Sequence, residues 1–337
     1  MADLESGHLF LTYVIPIRRG GPRNDVSFKQ KLRIELARLP PAHQTPATEK
    51  TEYAAPFARN RRTHFARMFV LDNVVYNGRN GQDALVGALR NVGTLTPQHV
   101  DGLRSAYLVF TADVDAVVRE GDPLPDDLDP DAQRRVRMAY ARTLWDTMGK
   151  EIAAIFGNCH GFEGVSSGEA FGAYLERCHI ETTMPFHDYY LVPPEFHVLP
   201  VRALALAVLI PGGIALGALL LRILGLEALF GLNTLLLAVA AFLVTLLAFV
   251  LAVRHALRNG AMPLAPARHD DLPSVLKALY IQQAFADFVA EHQGRDAGAL
   301  AAGFGAFLDR NVPADPNGPT QRPGVIASDA PQPRARV

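Results

Sequence analysis

The chain has 337 residues, with 33 lysines and arginines against 34 aspartates and glutamates, and a formal net charge of −1. That balance excludes the strong basic excess of a nucleic-acid-binding protein. Two cysteines, Cys159 and Cys178, are too few for a disulfide-stapled scaffold and point to a reducing compartment.

The first ten residues lack a basic region followed by an apolar core, so no secretory signal is read there and Leu9 to Ile17 is taken as a strand. Leu9, Leu11, Tyr13, Ile15 and Ile17 alternate along one face. A helix follows from an N-cap at Asp25, with Phe28, Leu32, Leu36 and Leu39 at helical spacing, and Pro40-Pro41 stops it. Arg62 to Leu71 and Leu103 to Thr111 read as strands apolar on both faces, hence buried on both. Between them Gly78 to Gly81 is turn-like and Ala84 to Leu89 a short helix. Val136, Tyr140, Leu144 and Met148 mark a long helix, and Ile152 to Phe156 reads as a fourth strand. The order β-α-β-β-α-β is that of a ferredoxin-like split βαβ domain, whose helices cover one sheet face only. A second copy covering the other face predicts a homodimer, with the C-terminal region as the alternative cover.

Ala203 to Leu221 and Leu232 to Val253 hold no ionisable group, and each approaches the ~20 residues an α-helix needs to cross a bilayer. Arg202 precedes the first span, and Arg254, Arg258 and Arg268 follow the second, which predicts that both termini are cytoplasmic. Gly213 and Gly217 form a small-residue face suited to packing on the second span or to self-association. Asp271 and Pro273 open one C-terminal helix; Leu300, Phe304, Phe307 and Leu308 mark another, and prolines with small polar residues past Asn311 suggest a disordered tail.

Three stretches carry a family likeness. Thr63-His64-Phe65-Ala66-Arg67 opens a strand, Leu108-Val109-Phe110-Thr111-Ala112-Asp113 ends one, and Phe171, Tyr174, Leu175, Cys178 and His179 are spaced along a later helix. On these the chain resembles the dimeric α+β-barrel superfamily that includes dye-decolourising peroxidases and chlorite dismutases. The resemblance implies peroxidase-like oxidoreductase chemistry. Dye-decolourising peroxidases carry a Gly-x-x-Asp-Gly motif beside haem; Thr111 to Ala116 (TADVDA) has the carboxylates but neither glycine.

The segment just before the first span concentrates reactive side chains: Cys159-His160, Cys178-His179, Glu181, His187, Asp188, Tyr189, Tyr190 and His197. Thiolate and imidazole bind zinc, iron or copper, so Cys159, His160, Cys178 and His179 are candidate metal ligands. Adjacent Cys-His pairs do not follow the spaced-ligand zinc pattern, and packing of small buried cysteines is the preferred reading of them. His160, His179 and Tyr190 are candidate cofactor contacts, with a histidine as axial haem ligand, and His179, His187 and Asp188 are candidate catalytic residues. A polar collar with Tyr189 and Tyr190 at headgroup level is the competing reading. Gly164-Val165-Ser166-Ser167-Gly168 matches a nucleophile elbow in letters only; Ser166 with Glu169 reads as a capping box.

The sequence thus predicts an α+β protein with a cytoplasmic ferredoxin-like domain (residues 1–200), a transmembrane helical hairpin (201–258, spans 203–221 and 232–253), a cytoplasmic helical region (259–310) and a disordered tail (311–337). It predicts an integral membrane protein that binds an apolar small molecule or a cofactor, haem or a transition metal. The alternative is a non-catalytic homo-oligomeric assembly protein.

Overall fold

The structure, a computed structural model, describes residues 3–21, 25–40, 55–73, 102–182, 197–229 and 231–324. The expected turn at Gly78–Gly81 and the helix at Ala84–Leu89 lie outside the described residues.

The chain begins with a hairpin of β1 (Leu4–Glu5) and β2 (His8–Pro16). Its turn residues Ser6 and Gly7 both have positive φ, 52° and 76°, as a two-residue hairpin of primed type requires. Helix α1 (Phe28–Arg38) is capped by Ser27, whose hydroxyl accepts from the Gln30 N–H at 3.2 Å, rather than by Asp25. β3 (Thr63–Leu71) and β4 (Tyr107–Asp115) complete the body of the sheet. β2 pairs antiparallel with β4 on one side and with β1 and then β5 (His179–Ile180) on the other, and β3 pairs antiparallel with the outer edge of β4.

Helix α2 (Pro130–Phe156) starts at Asp129, which accepts from the Ala132 N–H at 2.7 Å, with proline at its first turn. It is broken at Met148 (φ −142°, ψ 34°) and then resumes. The expected strand at Ile152–Phe156 is this last stretch of helix. Ile152, Ile155 and Phe156 are buried at helical spacing, which a short apolar run satisfies as readily as a strand. Helix α3 (Gly168–Glu176) is capped by Ser167, whose hydroxyl accepts from Ala170 N–H at 3.2 Å, so the capping serine is the neighbour of Ser166.

One sheet face and these helices enclose the core. Leu9, Leu11, Tyr13, Ile15 and Ile17 are buried as their alternation predicts, against Val136, Tyr140, Leu144, Phe171 and Tyr174. Tyr13 stacks on Phe110 with ring centroids 5.5 Å apart, and Phe156 meets Phe171 edge-on at 5.1 Å. The other face differs from expectation at β3: Phe65 is 62% and Phe69 42% exposed. Among the described residues β3 pairs on one edge only, and its alternate residues look away from the helices.

Among the described residues, two helices are long and apolar enough to cross a membrane: α4 (Val201–Ile223) and α5 (Thr234–Asn259). They pack together around a short hairpin of β6 (Ala228–Leu229) and β7 (Leu232–Asn233). Asn233 caps α5, accepting from Leu235 and Leu236. A side chain at Gly212 would touch Thr245 at 3.5 Å, while one at Gly213 or Gly217 would meet nothing within 4 Å. Residues 193–264 form one compact unit around this pair, and residues 1–192 with 265–337 form the other.

The C-terminal part of that larger unit carries α6 (Leu272–His292), capped by Asp271, and α7 (Ala297–Asn311), capped by Asp296. Phe285, Phe288, Phe304 and Phe307 interleave between them. Past Asn311, Arg61 donates to Pro316 O at 3.0 Å and Lys277 donates to Pro319 O at 2.7 Å, so this stretch is tied to both the strand domain and α6. Residues 325–337 lie outside the described residues.

A buried two-histidine, carboxylate centre

Strand register brings together three residues far apart in sequence. His8 opens β2 and lies directly across from Asp115, the last residue of β4. His64 reaches the same place from β3 through a bulge: Thr63 pairs with Val114 and Phe65 with Asp113, so His64 is the extra residue. A bulge re-aims the side chain it carries. Asn60 fixes the entry to this strand, its Oδ1 accepting from the Arg62 and Thr63 N–H groups, each at 3.1 Å.

The His64 Nε2 lies 2.7 Å from Asp115 Oδ1 and the His8 Nε2 lies 3.4 Å from the same oxygen. The two rings meet edge-on with centroids 4.8 Å apart. Side-chain exposure is 0% for His8, 1% for His64 and 3% for Asp115. The His8 Nδ1 is 2.9 Å from Ser6 O. A carbonyl only accepts, so this nitrogen carries a hydrogen.

Further charged side chains are buried around the centre. Asp113 is buried two residues back along β4, and Asp270, with side-chain exposure of 0%, places Oδ2 4.0 Å from His8 Nδ1. Arg62 is also buried; its guanidinium donates to Val117 O and lies over the Tyr140 ring at 5.8 Å. Burial lowers the Arg62 pKa. Burial acts to raise the Asp115 carboxyl, but hydrogen bonds from His64 and His8 outweigh it and hold the group below the usual carboxylate range.

Two imidazole nitrogens and one carboxylate oxygen within 4.8 Å of one another form a metal-ligand set. Bonds of about 2.0–2.1 Å at tetrahedral angles separate ligand atoms by about 3.3 Å. His8 and Asp115 already stand at 3.4 Å and His64 and Asp115 at 2.7 Å, while the ligand atoms spread over up to 4.8 Å, so the two imidazoles have to draw together around an ion. Donation of Nδ1–H to a backbone carbonyl is the outer-shell contact that orients metal-bound histidines. Among the described residues this is the one group of three or more histidine, cysteine, aspartate or glutamate side chains close enough to share an ion.

The residues singled out from the sequence lie elsewhere. Cys159 is buried in a bridge to Ile17, while its neighbour His160 is exposed. Burial, reinforced by the nearby Cys178, pushes the Cys159 thiol up to about 12, and burial also raises the half-buried Cys178. His179 pairs with Tyr13 at the sheet edge, and its Nε2 lies 2.8 Å from Asp3 Oδ2. Asp3 Oδ1 accepts from the Thr182 N–H at 2.7 Å, and Arg137 is held by Glu176 at 2.6 Å and lies 3.9 Å from Asp3. His179 is therefore part of an ion-paired strand end. His187, Asp188, Tyr189 and Tyr190 lie outside the described residues. No local spacing marks the centre, although two stretches noted in the sequence touch it: Thr63 to Arg67, which includes His64, and TADVDA, which includes Asp115.

No protein-family model, curated protein or solved structure matches this chain.

Proposed function

We propose that the protein is a membrane-anchored metal-binding protein. Its α+β domain carries a divalent transition metal between His8, His64 and Asp115, and α4 and α5 hold it in the bilayer. The observation that carries this reading is the convergence of two imidazole nitrogens on one buried oxygen of Asp115. A two-histidine, one-carboxylate set suits iron, zinc or manganese, and iron supplies the redox chemistry of an oxidoreductase. Burial of every ligand favours a structural or electron-transfer ion over one that meets substrate directly. The domain assignment is ferredoxin-like: an all-antiparallel sheet with the first long strand central and β3 at an edge supports it. The arginines flanking the apolar helices support cytoplasmic termini. Elemental analysis of the detergent-purified full chain tests the metal reading: about one equivalent is expected in wild type and a large loss in Asp115→Asn, whereas wild type at background overturns it.

A second reading, homo-oligomeric assembly, is favoured by exposed Phe65 and Phe69 on the open sheet face. It predicts a dimer in detergent that Phe65→Asp with Phe69→Asp dissociates; a wild-type monomer overturns it.

A further inference from the structure

Asp115 faces two ways. Its Oδ1 meets His64 and His8, while its Oδ2 accepts the Leu272 N–H at 3.1 Å. Leu272 is the first residue of α6, so the carboxylate sits at the positive end of that helix. The preceding residues close on the same place. Asp270 approaches His8, and a side chain at Gly7, in the turn just before His8, would lie 2.9 Å from Pro266 Cβ. The stretch from Pro266 to Leu272 therefore touches the turn, the ring and the carboxylate that together make the centre.

We propose that this stretch is a metal-responsive latch: an ion held by His8, His64 and Asp115 fastens the C-terminal helices to the sheet, and loss of the ion loosens them. The inference rests on the metal reading above. Outer-shell donors set the orientation and basicity of metal ligands, and the Leu272 N–H is such a donor for Asp115. Linkage makes the effect reciprocal. Whatever the helix contributes to ion affinity, the bound ion returns to helix docking.

A pair of substitutions isolates the contact. Leu272→Pro removes the N–H at a first helical position, which proline tolerates. Leu272→Ala truncates the same buried side chain and keeps the N–H. In competition titrations of the full chain with zinc, Leu272→Pro is expected to bind about 10–100-fold more weakly, and Leu272→Ala close to wild type. Zinc is also expected to slow amide hydrogen exchange at the start of α6 in wild type. Equal zinc affinity of the two variants, or no zinc-induced protection of α6 in wild type, overturns the latch and leaves the metal site standing. Wild type that binds no zinc overturns the metal reading and the latch with it.

Discussion

Leu272 and Asp115, separated by 157 positions in the chain, are joined by a hydrogen bond of 3.1 Å from the backbone N–H of one to the carboxylate of the other. Through it the segment after the second apolar helix becomes part of a centre built by the first strands of the domain. The turn that precedes His8 is packed beneath the same segment.

That turn is the first place to test the packing. Gly7 has φ +76°, and a side chain there would lie 2.7 Å from Leu124 Cβ as well as close to Pro266. Gly7→Ala combines left-handed strain with overpacking, and is expected to cost about 1–3 kcal/mol. Thermal unfolding in detergent measures it. A melting temperature unchanged from wild type contradicts the close packing of this turn.

Alkaline pH tests the burial of Cys159. Its folded value, about 12, lies above that of the unfolded chain. The stability it contributes is thus complete below about pH 8.5, the ordinary thiol value, and is lost as pH rises towards the folded one, by up to about 1.4 kcal/mol per unit. Melting temperature is expected to fall between about pH 8 and pH 10. Cys159→Ala starts lower and declines less steeply over that range; a parallel decline contradicts the assignment.

Sidedness is read by impermeant thiol labelling of intact cells. Gly225 has φ +87° and resists a side chain, so the neighbouring Leu224, 77% exposed, is the better probe of the turn between α4 and α5. Leu224→Cys is expected to label from outside and Gly260→Cys to remain protected. Labelling of Gly260→Cys alone reverses the orientation.

The core face of β2 was legible because Leu9 to Ile17 alternate, and the apolar helices because Ala203–Leu221 and Leu232–Val253 hold no charge. Ile152 to Phe156 was not, since a buried apolar run carries no period that separates helix from strand. Cys159 and His160 are adjacent in sequence, but the fold buries one and exposes the other. His8, His64 and Asp115 share no local spacing. They meet through strand register and a bulge, and register depends on which strands pair.

Cobalt(II) titration of the metal-free full chain, followed by visible absorption, tests the central claim most directly. Weak visible bands that saturate at about one equivalent and disappear in His64→Ala and Asp115→Asn are expected from a nitrogen and oxygen ligand set. An absence of bands in wild type, or a near-ultraviolet thiolate-to-cobalt transition lost in Cys178→Ser, would contradict the account and move any ion to the cysteines.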